Sequence, residues 1–91
     1  MKLFVKTLTG EIIPVDIKEE EIIFFIKMEL YLFHHQRKPV YMKLLDDEGE
    51  LDDTKIAGDV LHEGDMIYLF IDNEQGERKI YIKKKKYASY R

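Results

Sequence analysis

The chain has 91 residues, 45% hydrophobic and 12% aromatic, enough apolar content for one modest core and too much for a disordered chain. Its formal net charge of −3 argues against a dedicated nucleic-acid binder. It contains no cysteine, so disulfides, thiolate zinc sites and cysteine nucleophiles are excluded.

The missing cysteines fit a reducing compartment, and a cytoplasmic chain is expected, with the nucleus as the alternative. No apolar run is long enough to cross a bilayer. The N-terminus alternates apolar and polar residues, where a signal peptide would show a continuous apolar block.

Leu3 and Val5 alternate with Lys2, Phe4 and Lys6, which predicts a strand with one buried face. Thr7-Leu8-Thr9-Gly10 breaks that pattern, and Gly10 is suited to the positive φ of a bulged hairpin turn. A second alternating run buries Ile13, Val15 and Ile17. Pro14 lies within it on the opposite face and removes a ladder donor, so this strand belongs at a sheet edge. Lys18 to Glu21 then lead into a helix over Ile22 to His35. Three glutamates suit its positive end, but no Ser, Thr, Asp or Asn caps it. Ile23, Ile26 and Leu30 share one helical face, while Phe24, Phe25, Met28, Tyr31 and Leu32 cover much of the rest.

Gln36 to Pro39 form a polar connector. Val40 to Leu45 predict a strand with Met42 and Leu44 inward. Asp46 to Gly49 predict a turn, and Leu51 begins a short return. Residues 52–65 are expected to be mostly loop, with Ile56 and Leu61 plugging the core. Met66 to Ile71 predict a strongly apolar strand. Arg78 to Lys83 alternate again and are expected either to return as a hairpin partner or to serve as a linker. The chain therefore divides into a domain over 1–72 and an extension over 73–91. Strand, strand, helix, strand, short strand, long strand is the order of an α+β roll, a mixed sheet packed on one helix.

The opening Met1-Lys2-Leu3-Phe4-Val5-Lys6-Thr7-Leu8-Thr9-Gly10 resembles the start of ubiquitin-family proteins, differing from ubiquitin's own at positions 2 and 3 only. The resemblance continues more weakly to about Ile71. Ile13, Val15, Ile17, Ile23, Ile26, Leu30, Ile56, Leu61, Ile67 and Leu69 fall where the family places core residues, and Lys27 where it places a semi-buried lysine. The implied fold is the ubiquitin-like β-grasp.

The family implies two ways of working. The first is covalent attachment through a Gly-Gly tail, which needs glycines to thread a narrow enzyme cleft. At the matching place this chain has Gln75-Gly76, with Asp72, Asn73 and Glu74 before it and fifteen residues after it. A modifier would require cleavage after Gly76. Of the family's chain-linking lysines, Lys6 and Lys27 remain. The other aligned positions carry Glu11, Glu29, Phe33, a residue near Glu48, and Glu63.

The second way is docking of helical receptors on an apolar patch of the sheet. The matching positions are Leu8, Tyr68, Phe70 and either Lys43 or Leu44, because the alignment slips between Leu30 and Leu51. A lysine at the central position would set a desolvated ammonium against receptors built for an aliphatic side chain. The tail could also fold over this patch and hide it. The expected role is a non-conjugated protein-interaction module, free-standing or part of a longer chain.

A second apolar surface is expected on the helix's outer face, from Phe24, Met28, Tyr31 and Leu32. It would serve a partner or self-association, be covered by the extension through Ile80 and Ile82, or reflect a different helix phase. His34, His35 and His62 do not suggest a metal site, since adjacent helical histidines point about 100° apart. The Asp46, Asp47, Glu48, Glu50, Asp52, Asp53 cluster lacks calcium-loop spacing. Lys83 to Lys86, with Tyr81, Tyr87 and Tyr90, could touch phosphates or anionic lipid, although a solvated end is the simpler reading. No enzyme is expected and no cofactor or metal, because the sequence offers no nucleophile with a base beside it and no phosphate-cradling loop.

Overall fold

The computed structural model describes residues 1–72. They form a small α+β unit with a mixed five-stranded sheet and one main helix. Strands β1 (Lys2–Lys6) and β2 (Ile12–Asp16) make the first hairpin. Helix α1 (Phe24–Phe33) crosses the sheet, and a 3-10 turn (Pro39–Tyr41) leads into β3 (Met42–Asp46). The short β4 (Gly49–Glu50), a single helical turn α2 (Ala57–Val60) and β5 (Met66–Ile71) complete the unit. The sheet order is β2-β1-β5-β3-β4, with β1 and β5 parallel and the other pairs antiparallel.

The first hairpin closes as its residue types dictate. Gly10 takes φ +91°, its N–H donates to Thr7 O at 3.0 Å, and Thr7 N–H donates to Glu11 O at 2.9 Å. Phe4 N–H donates to Asp65 O, away from β2. Its partner Pro14 therefore turns its nitrogen toward the open edge, where no donor is needed. Proline thus costs the ladder nothing and blunts the edge.

One core lies between α1 and the sheet. Leu3, Val5, Ile13, Val15, Met42, Leu44, Ile67 and Leu69 from the strands meet Ile23, Ile26 and Leu30 from the helix. The expected plugs are half right. Leu61 is buried, but Ile56 is 36% exposed and Ala57 takes the interior place instead. Ile56 is extended and bridges Ile22, while Ala57 N–H donates to Glu21 O at 2.8 Å, so the loop docks through its backbone.

The helix lacks a side-chain cap, as its sequence implies, and carbonyls from the 52–56 loop take over. Ile23 N–H donates to Lys55 O at 2.9 Å and Phe24 N–H to Asp53 O at 3.0 Å. Lys27 points inward, 4% exposed, with its Nζ 2.8 Å from Asp53 Oδ1. The return strand foreseen over 78–83 lies outside the described residues.

Candidate interaction surface

The sheet's outer face is built by alternation. In β5, Ile67 and Leu69 enter the core, so Met66, Tyr68 and Phe70 point the other way, Tyr68 and Phe70 each 41% exposed. In β3, Met42 and Leu44 point inward, which puts Lys43 and Leu45 outward. Register then decides which side chains become neighbours. Lys43 faces Phe70, Leu45 and Lys6 flank Tyr68, Phe4 flanks Met66, and Pro14 flanks Phe4. The result is a continuous apolar face crossing four strands, punctuated by Lys6 and Lys43 ammonium groups.

Of Lys43 and Leu44, only Lys43 faces out. Leu44 is 0% exposed and belongs to the core, so it is no contact residue, correcting its candidacy. The period of two leaves no choice: with Met42 inward, Leu44 follows and Lys43 must face out. Lys43 Nζ lies 3.8 Å from Asp72 Oδ2, both side chains about half exposed, so the pair is screened and easily opened.

Leu8 is exposed at the hairpin tip. It stands with Thr7, Gln36, Leu69 and Ile71 around a hollow of about 160 Å³. Leu69 and Ile71 belong to the opposite face from Tyr68 and Phe70. The structure therefore gathers Lys43, Tyr68 and Phe70 and sets Leu8 at the end of the sheet. Phe4, Leu45, Met66 and Pro14 are residues that sequence reading missed as members of this face. Met66 was within reach of alternation along β5, whereas only strand register places Phe4, Leu45 and Pro14 on this face.

The helix face also needs correction. Phe24 and Met28 are only partly exposed, while Phe25, Tyr31, Leu32 and Phe33 are the exposed large apolar residues of α1. The cause is Lys27, which packs inward beside Ile23, Ile26 and Leu30 and so fixes the outward stripe on Phe25 and Leu32.

The acidic residues serve their own turns. Asp46 Oδ1 accepts the Glu48 N–H at 2.8 Å. Asp52 Oδ1 accepts both the Thr54 hydroxyl at 2.7 Å and the Thr54 N–H at 2.8 Å, which holds its carboxyl below the ordinary 3.8. Among the described residues, no group of three or more His, Asp or Glu side chains is placed to hold a metal ion. His34 Nε2 sits 3.9 Å from Glu29 Oε2 and His62 Nδ1 3.8 Å from Asp65 Oδ2, so they answer to separate carboxylates. No helix among the described residues is long and apolar enough to cross a membrane.

No protein-family model and no curated protein matches the chain.

Proposed function

We propose that the chain is a ubiquitin-like β-grasp module that docks to partner proteins through its outer sheet face and is not conjugated. The observation that carries this reading is the exposed row of Met66, Tyr68 and Phe70, with Phe4 and Leu45 beside it and Lys43 directly across from Phe70. The strand order β2-β1-β5-β3-β4 around one helix is compatible with the β-grasp, and the resemblance of residues 1–10 supports it.

Tyrosine and phenylalanine anchors flanked by cations suit an amphipathic helix. Its apolar stripe would seat on Tyr68, Phe70 and Met66. An acidic side chain on its flank would meet Lys6 or Lys43. Completing the burial of one large apolar side chain contributes up to about 1.5–3 kcal/mol, less for a half-buried one, so several are needed. Lys43 also rejects receptors that offer only an aliphatic contact there, because its ammonium would be desolvated without a partner.

Covalent attachment is the competing reading. No two of the five glycines are adjacent, and Gln75 stands where the family's tail needs glycine. The Gly76 junction and the 73–91 extension lie outside the described residues. The test is to incubate the N-terminally tagged chain with ATP in a eukaryotic cell extract and resolve the products on a denaturing gel. A single unmodified band is expected. Higher-mass covalent bands that disappear in Gly76→Ala would overturn the reading.

A further inference from the structure

Charge is unevenly divided along the chain. Residues 1–72 carry sixteen acidic and eight basic side chains, whereas residues 73–91 carry two and seven. The apolar stripe of α1 lies wholly within the acidic part. Phe25, Leu32 and Phe33 lie exposed along it, Leu32 by 57% and Phe33 by 67%. Glu29 lies on the helix, Glu19 to Glu21 just before it, and Arg37 and Lys38 after it.

The exit point of the chain matters next. Asp72 N–H donates to Tyr41 O at 2.7 Å. Tyr41 ends the 3-10 turn that follows α1 and packs against it. The described chain therefore leaves off at Asp72 on the C-terminal side of the helix, close to its basic end.

From there the sequence of 73–91 complements the helix in order. Glu74 and Glu77 come first, opposite the Arg37-Lys38 end. Ile80-Tyr81-Ile82 follow, at the place of Phe33, Leu32 and Phe25. Lys83 to Lys86 come last, toward Glu19 to Glu21 before the helix, while Glu29 stands within the stripe, between Leu32 and Phe25. Length permits it: ten helical residues span about 15 Å. The ten residues from Glu77 to Lys86 reach about 30 Å when extended. The sheet face offers a mixed field, with Lys6 and Lys43 beside Tyr68 and Phe70 but Asp46, Asp47, Glu48 and Asp65 around Met66 and Tyr68, so charge alone does not order the run there.

We propose that residues 74–86 run back along α1 of the same molecule, with Ile80 and Ile82 covering the Phe25–Leu32–Phe33 stripe and Lys83 to Lys86 facing the glutamates. An external partner of the helix face must displace this segment, whereas a partner of the sheet face need not. The inference stands apart from the sheet-face reading, since neither requires the other.

The chain's lack of cysteine makes a clean test available. In the full chain, Lys84→Cys carries a single nitroxide label, and paramagnetic broadening of backbone amides is read by NMR. The expected result is loss of signal at Phe25, Glu29 and Leu32, with Lys6, Lys43 and Tyr68 spared. High salt and the added pair Ile80→Ser with Ile82→Ser should each restore the helix signals while the remaining spectrum stays folded. Broadening that is uniform, absent or centred on the sheet face would overturn the proposal. So would broadening of an isotope-labelled, unspun chain mixed with a spin-labelled one, which would assign the face to a second copy.

Discussion

Lys27 Nζ lies 2.8 Å from Asp53 Oδ1, and this ion pair joins the inner side of α1 to the loop that caps its N-terminus. Asp53 Oδ1 is buried and receives no other hydrogen bond, so on the inner side of the carboxylate the ammonium is its one partner among the described residues. The Lys27 side chain is 5% exposed and that of Asp53 39%. Asp53→Ala would strand a buried ammonium. Breaking a fully buried pair costs about 3–5 kcal/mol, and partial solvation of this one brings the expectation to about 2–3 kcal/mol. Lys27→Met combined with Asp53→Ala should recover part of that loss. Denaturant unfolding of these two variants and of Lys27→Met alone checks it, and simple additivity would count against coupling.

His35 is the one described non-glycine residue with positive φ, at 58°. It ends α1 in a left-handed cap, where Gln36 N–H reaches back to Leu30 O at 3.3 Å. A side chain there costs about 1–2 kcal/mol, partly offset by the greater freedom glycine has when unfolded. His35→Gly is expected to stabilise the domain by about 0.5–1 kcal/mol, read as a raised unfolding midpoint with an unchanged denaturant slope.

Gly58 has a different reason to be glycine. A Cβ there would lie 3.0 Å from Glu19 O and 3.1 Å from Glu19 Cβ, and its N–H already donates to Glu19 O at 2.8 Å. Helix propensity favours alanine by up to about 1 kcal/mol. The clash is with backbone, so displacement costs about 1–3 kcal/mol and wins. Gly58→Ala should lower stability by about 1 kcal/mol and shift the amide signals of Glu19 to Glu21.

The Thr54 hydroxyl, and then the Thr54 N–H, hold the Asp52 carboxyl below the ordinary 3.8. A depressed folded-state value stabilises the fold above the unfolded value, and the benefit is lost as pH falls through the folded one. An NMR titration should give Asp52 a midpoint below 3.8, and Thr54→Val should return it toward that value. A midpoint unchanged by Thr54→Val would contradict the hydrogen-bond assignment.

The strands were legible because each carries a clean period of two: Leu3/Val5, Ile13/Val15 and Ile67/Leu69 mark their own buried faces. Pro14 announced an edge for the same reason that it sits there. Other features were not legible. Periodicity placed Ile23, Ile26 and Leu30 on the core side, but the helix is apolar almost all round, so the outward side was not legible: Lys27 packs inward, and Phe25 and Leu32 stand outward in place of Phe24 and Met28. Ile56 looked like core by size, yet the smaller Ala57 is buried because backbone bonds to Glu19 and Glu21 set the loop's height. The cross-strand members of the Tyr68 face, Phe4 and Leu45, could not be read, since they join it through register between strands distant in sequence.

The central claim is that the Tyr68–Phe70 face meets a protein partner. It is tested most directly by placing a photo-cross-linking residue at Tyr68 in the full chain, and in parallel at Asp47 on the exposed β3–β4 turn, and irradiating both in living cells. Discrete protein adducts from position 68, lost when Phe70→Glu is added and missing from position 47, are the predicted result. No adduct at 68, or the same adducts at both positions, would contradict it.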